Sequence, residues 1–226
     1  MKDRISHFYR SAVGKKAIMA VTGMVLFLYV LVHMLGNLKL FQGAEKLNEY
    51  AQWLREVGGP AVPHTGTLWI VRVILLVAFA LHVGATIQLT RMNMRARQTR
   101  YQVYRPVAAG VASRTMRWTG VLIGLFVIFH LLDLTWGTIH PDFEHDNVYH
   151  NVVVSMGTWW IAAVYIIAQV ALGLHLYHGL WSMLQSLGWS HPRLNPWRRP
   201  AATTFAVIIT AGNILIPIVI LLGWVR

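Results

Sequence analysis

The sequence predicts an all-α integral membrane bundle of five transmembrane helices, built as one domain over residues 1–226. Of the 226 residues, 56% are hydrophobic and 12% are charged, whereas a soluble domain carries about 25% charged residues. The apolar residues also form long uncharged runs. About 20 apolar residues cross the hydrocarbon core of a bilayer, and five runs are long enough to do so.

The five predicted spans follow these uncharged runs in order. The runs cover residues 17–36, 73–90, 118–132, 147–192 and 200–225. We place spans I to V at roughly 16–37, 67–90, 116–138, 152–187 and 202–224. Span IV is longer than a bilayer crossing requires, so we expect one helix that projects beyond the membrane. The longest stretch between spans is a loop over residues 38–66.

Charge is distributed unevenly between the two sides of the predicted bundle. The net charge is +12, with 20 basic residues. Fifteen of the 20 lie before span I, between II and III, or between IV and V: Lys2, Arg4, Arg10, Lys15, Lys16, Arg91, Arg95, Arg97, Arg100, Arg105, Arg114, Arg117, Arg193, Arg198 and Arg199. The positive-inside rule then puts the N-terminus in the cytoplasm and the C-terminus outside. This pattern indicates membrane topology or docking of a soluble partner, and we expect no nucleic acid.

The chain contains no cysteine. Disulfides, thiolate metal sites and the covalent attachment of a c-type haem are therefore excluded. Any haem bound here would be held by non-covalent axial ligands.

Five histidines lie inside the predicted spans, and the helix rise sorts them by depth. At 1.5 Å per residue, His33 and His130 lie about 10 and 5 Å toward the outside, whereas His82 lies about 5 Å toward the inside. His175 and His178 lie about 7 and 11 Å toward the inside. The residues therefore predict an outer pair, His33 with His130, and an inner pair, His82 with either His175 or His178.

Facing histidines at one depth are the geometry that a b-type haem needs, and bundle cores supply it. Two layers predict two haems stacked across the membrane. A lone intramembrane histidine is more often an interhelical hydrogen-bonding group. Glycines near the histidines either make room for a porphyrin or allow close helix packing; they are Gly84, Gly120, Gly124, Gly173 and Gly179.

Several stretches together resemble the five-helix, di-haem cytochrome b subunit of succinate:quinone oxidoreductases and fumarate reductases. They are "GKKAIMAVTGMVLFLYVLVHMLGNLKLFQGAEKLNEYAQWLR", "ASRTMRWTGVLIGLFVIFHLLD", "HPDFEHDNVYHNVV" and "LGLHLYHGLWSMLQSLG". The resemblance runs almost from end to end. It implies that His33 and His130 bind the outer haem iron, and that His82 and His175 bind the inner one. His178 is then a candidate for contact with a haem propionate or for a hydrogen bond to a neighbouring helix.

The resemblance also implies partners. A flavoprotein and an iron–sulfur protein on the cytoplasmic side would carry the succinate and fumarate chemistry, with no succinate active site on this chain. Electrons would pass through two b haems to quinone, with menaquinone favoured, in a multi-pass protein of the cytoplasmic membrane. The whole complex is a candidate for a higher oligomer. The alternatives are a stand-alone transmembrane cytochrome b and a haem-free, histidine-lined transporter.

The quinone site is the least defined part of the resemblance. Asp133, Glu49 and Glu56 are the outer-side candidates, and Asp133 is alternatively a structural ion pair with Arg72 or Lys39. Some relatives carry an acid for proton passage two residues before the ligand on the fourth helix, where this chain has Gly173. Four basic residues near the membrane surfaces are candidates for propionate contacts or for interfacial anchors: Arg114, Arg117, Lys39 and Arg72.

Overall fold

A computed structural model describes residues 8–96, 111–189 and 191–225, and the side chains of 111–113 are outside the description. The helices are α1 (Ala12–Asn37), a 3-10 helix (Leu38–Gln42), α2 (Ala44–Glu56), α3 (Gly66–Arg95), α4 (Val111–Leu134), α5 (Val148–Gly157), α6 (Trp159–Ser186) and α7 (Asn195–Leu221). These described ranges contain no β-strand. Of the basic residues used for topology, Lys2, Arg4, Arg97, Arg100 and Arg105 lie outside the described residues.

Five helices are long and apolar enough to cross a membrane: α1 with its 3-10 extension, α3, α4, α6 and α7. The prediction of an all-α bundle of five transmembrane helices is therefore confirmed. Large apolar side chains such as Leu76 and Trp118, 69% and 73% exposed, face outward, as expected where lipid replaces water. We call the end that holds the start of α1 and the end of α6 the basic end, and the opposite end the acidic end.

The prediction of one long helix IV is wrong. Thr158 has an extended backbone, with φ −83° and ψ 113°, and it separates α5 from α6. Asn147 begins α5, because its side chain accepts a hydrogen bond from the backbone N–H of His150. The segment that was expected to project beyond the bilayer is therefore a separate helix, which packs across the acidic end against α2 and α7.

The region 38–66 is not simply a loop, since it contains α2. Gly43, with φ at 97°, turns the chain from the 3-10 helix into α2, a backbone conformation that favours glycine. Leu47, on the inner face of α2, is buried. The side-chain amide of Asn48 donates to Asn147 and accepts from the backbone N–H of Tyr149, at 3.0 Å each. These contacts attach α2 to α5 over the acidic end.

Packing divides the bundle into two helix pairs. α1 packs along α3, and α4 packs along α6. α6 joins the two pairs by packing against α1, and α7 packs most extensively against α6. The core between them includes Phe27, Met34, Leu176 and Ile209. Within the described residues, α1 does not pack closely on α4, and α3 does not pack closely on α6. The two gaps lie between helices that carry the predicted histidine pairs.

At Gly173, α6 lies in tight contact with Thr210 of α7. A Cβ atom added there would lie 2.3 Å from Oγ1 of Thr210, whereas one added at Gly179 would meet nothing within 4 Å. Of the two interpretations offered for these glycines, Gly173 therefore serves close helix packing. Gly179 and Gly84 adjoin open space.

We expect Gly173→Ala to lower the melting temperature of the purified protein in detergent, because overpacking costs about 1–3 kcal/mol. Gly179→Ala is the matched control, since both changes gain about 1 kcal/mol of helix propensity. Equal melting temperatures for the two variants would contradict the tight α6–α7 contact.

Candidate functional site

Two pairs of histidine rings face each other inside the bundle. The ring centroids of His33 on α1 and His130 on α4 are 5.9 Å apart, and the ring planes make an angle of 81°. The centroids of His82 on α3 and His175 on α6 are 6.4 Å apart, at 57°. Each pair therefore joins two helices that do not pack closely on one another.

These separations fit two imidazoles that share one metal ion. A metal–imidazole bond is about 2 Å and the ring centre lies about 1 Å beyond the bound nitrogen, so the two centroids would be about 6 Å apart. No cluster of three or more His, Cys, Asp or Glu side chains forms a metal site among the described residues. A porphyrin would supply four nitrogen ligands to its iron, and two histidines would supply the other two. The donor set thus fits a bis-histidine haem in each layer.

A repeated motif, M-x-x-T-G-x9-H, holds the histidines in register. It is formed by Met19, Thr22, Gly23 and His33 on α1, and by Met116, Thr119, Gly120 and His130 on α4. The histidine of each motif belongs to the outer pair, and the Met-Thr-Gly part contacts a histidine of the inner pair. The eleven residues from threonine to histidine rise about 16 Å, which separates the two layers.

On α1, the motif determines which nitrogen of His82 is free. Nδ1 of His82 lies 3.1 Å from the carbonyl oxygen of Met19 and 3.3 Å from Oγ1 of Thr22. A carbonyl only accepts hydrogen bonds, so Nδ1 carries the hydrogen and Nε2 keeps its lone pair. A Cβ at Gly23 would lie 3.3 Å from the His82 ring, so glycine allows the ring to lie against α1.

The motif on α4 makes the corresponding contacts with His175. Nδ1 of His175 lies 3.3 Å from Oγ1 of Thr119, whose hydroxyl donates to the carbonyls of Thr115 and Met116 at 3.2 and 3.1 Å. The hydroxyl hydrogen is therefore committed to the backbone, so Thr119 accepts from Nδ1–H of His175. A Cβ at Gly120 would lie 3.6 Å from the ring. Metal-binding histidines commonly use the second ring nitrogen this way.

A buried carboxyl group orients His130 of the outer pair through Tyr165. Asp133 is fully buried, and its Oδ2 accepts from the hydroxyls of Ser155 at 2.6 Å and Tyr165 at 2.8 Å. The Tyr165 hydroxyl lies 3.3 Å from Nδ1 of His130. Since its single hydrogen goes to Asp133, Tyr165 accepts from Nδ1–H of His130, and Nε2 of His130 is again the free nitrogen.

The alternative interpretation of Asp133 as an ion pair with Arg72 or Lys39 is wrong. The guanidinium of Arg72 lies 5.0 Å from the centre of the Trp69 ring, and the ammonium of Lys39 lies 5.3 Å from that of Tyr50. Hydroxyl groups rather than cations therefore satisfy Oδ2 of Asp133, while its Oδ1 has no partner among the described residues.

The remaining candidates do not take part in the facing histidine pairs. His178 packs edge-on against Trp181, with centroids 5.2 Å apart, and it does not face His82. Arg114, Arg117 and Glu56 are exposed. Glu49 accepts a hydrogen bond from Lys46 at 2.8 Å on the surface of α2, and this contact raises the pKa of Lys46.

A family model described as the succinate dehydrogenase/fumarate reductase transmembrane subunit matches residues 91–215, more than half of the chain. The protein belongs to that family. The match covers α4 to α6, with His130, Asp133, Tyr165 and His175, and most of α7. Searches of curated proteins and of solved structures found no significant match.

Membership of the succinate dehydrogenase/fumarate reductase family indicates the complex to which the chain belongs. The protein is a membrane subunit of an oxidoreductase complex and associates with the other subunits of that complex. Its five apolar helices provide the membrane anchor. The predicted membrane location is thereby confirmed.

Proposed function

We propose that the chain is the di-haem cytochrome b of its complex and carries electrons between the soluble subunits and quinone. This proposal rests on the two pairs of facing histidines. Their ring centroids are 5.9 and 6.4 Å apart, and each pair lies between two helices that do not pack closely. A lone interhelical histidine needs no such partner at a metal-sharing distance.

Each histidine has a defined role in the proposal. His33 and His130 would bind the outer haem iron, and His82 and His175 the inner one. Haem b, when bound, supplies one-electron redox chemistry at each layer. Thr22, Thr119 and Tyr165 hold the Nδ1 atoms of His82, His175 and His130, so that Nε2 is the nitrogen left free on each of these rings. Such outer partners fix ring orientation and make the bound nitrogen more basic.

We place a flavoprotein and an iron–sulfur subunit at the basic end, on the cytoplasmic side. Purification of the tagged chain from its native membranes tests this. We expect two larger soluble subunits and a reduced-minus-oxidised spectrum of b-type haem. Haem without the two subunits would favour the stand-alone cytochrome b, and the absence of a haem spectrum would favour the transporter.

The proposed electron acceptor is menaquinone, bound near the acidic end that carries Glu49 and Glu56. Asp133 is enclosed behind Ser155 and Tyr165, so it would act on the outer haem through Tyr165 rather than on quinone directly. Electrons from succinate would then cross toward the positive side of an energised membrane. Each charge gains about 2.3 kcal/mol per 100 mV, which favours reduction of a low-potential quinone.

We therefore expect an uncoupler to lower the rate of menaquinone reduction by succinate in sealed, energised vesicles of known orientation. The same complex in detergent, where no potential exists, is the control and should not respond. An unchanged rate and equilibrium in vesicles would move the quinone site to the inner haem layer.

A further inference from the structure

Arg198 is a buried cation without a matching anion among the residues that the structure describes. Its side chain is 7% exposed, and it lies in the first turn of α7 (Asn195–Leu221). One terminal nitrogen donates to Oδ1 of Asn195, but Nε is buried and has no acceptor within the described part of the chain. Lys15, the other buried cation there, donates to the Tyr9 carbonyl and to Gln88.

A cavity of about 330 Å³ opens beside Arg198 at the basic end. It is lined by Trp181, Gln185, Asn195, Pro196, Arg198 and Arg199. The guanidinium of Arg199 lies 5.1 Å from the centre of the Trp181 ring. The residue before α7, Leu194, provides no side-chain cap, so the positive end of the helix dipole adds to the two guanidinium charges.

The acids that the structure describes are too far along the bundle to neutralise Arg198. The seven that the structure describes are Glu45, Glu49, Glu56, Asp133, Asp142, Glu144 and Asp146. All seven lie at the acidic end, because they follow α1 or the final turns of α4, whereas α7 begins at the basic end. Asp3 lies outside the described residues. Buried charges in proteins are normally paired, so an anion from outside the chain fits this cavity.

The level of the cavity indicates the source of that anion. Trp189 and Trp197, 60% and 71% exposed, lie between the end of α6 and the first turn of α7. Tryptophan is enriched where the lipid headgroups meet water. We propose that the cavity binds the phosphate of an anionic phospholipid, with Arg198 and Arg199 as the phosphate-binding residues. This site is separate from the histidine pairs and does not depend on their function.

Another oxyanion has the same chemistry, namely a propionate of the inner haem. Trp181 contacts both Arg199 and His178, and His178 lies one turn from His175. The test must therefore distinguish a lipid phosphate from a carboxylate of the cofactor.

The test uses the intact complex purified in mild detergent, with bound phospholipid measured by native mass spectrometry. We expect Arg198→Gln to reduce bound anionic phospholipid by about tenfold or more, since hydrogen bonds to charged groups are among the stronger ones. Arg198→Lys should retain part of it. Arg72→Gln, at the acidic end, is the control and should retain all of it. An unchanged amount of bound lipid in Arg198→Gln would overturn the proposal. If the haem spectrum also shifted in that variant, the propionate would be the favoured anion.

A second measurement on the wild-type complex covers the case in which Arg198→Gln does not fold. After delipidation, added phosphatidylglycerol should raise the melting temperature, whereas phosphatidylcholine should not. Equal effects of the two lipids, or no effect of either, would overturn the proposal.

Discussion

His175→Ala is expected to remove one of two haems and leave the other spectroscopically intact. The ring of His175 faces His82 at 6.4 Å, and Thr119 holds its Nδ1, so its loss would remove one of the two residues proposed to hold the inner haem. The outer pair lies about 16 Å away along the bundle and should keep its haem. Pyridine haemochrome analysis and the reduced spectrum of the purified complex measure both results.

His178→Ala is the matched control, one turn away on the same helix. Its ring contacts Trp181 rather than His82, so the haem content should stay at the wild-type level. Loss of a haem in His178→Ala with retention in His175→Ala would reverse the assignment.

Tyr165→Phe is expected to weaken the binding of the proposed outer haem and to raise its reduction potential. The substitution removes the hydroxyl between Asp133 and His130. His130 then loses the acceptor for Nδ1–H, which would make it a less electron-donating ligand of the proposed haem iron. Loss of such a partner typically weakens metal binding about 10- to 100-fold. Asp133→Asn should act in the same direction, because it replaces one carboxyl oxygen beside Tyr165 and Ser155 with an amide nitrogen that donates hydrogen bonds.

A potentiometric titration that resolves the two haems tests this prediction. Thr119→Val is the matched control, since it removes the corresponding acceptor from His175 and should change the inner haem only. A Tyr165→Phe protein whose outer potential equals that of the wild type would show that the Asp133–Tyr165 contact serves packing alone.

The five spans could be predicted because apolar length alone decides membrane crossing. The break at Thr158 and the helix α2 could not, since both depend on how segments pack across the acidic end. The valines before Thr158 and the tryptophans after it form one continuous apolar run in the sequence, which predicts a single helix. In α2, a mostly polar sequence is held by buried Leu47 and by the contacts of Asn48.

The histidine layers followed from depth, but their supporting residues did not. Depth left His175 and His178 as alternatives, because one turn of helix changes depth by only about 5 Å; rotation about the helix axis, which depth does not report, points His175 at His82. Thr22, Thr119 and Tyr165 were missed for the same reason. The repeated M-x-x-T-G-x9-H motif was the available signal for both threonines, whereas Tyr165 had none.

The number of haems per chain tests the central claim most directly. We expect pyridine haemochrome analysis of the pure, intact chain to find two b haems per polypeptide, one for His33 with His130 and one for His82 with His175. A value of one or none would contradict the account.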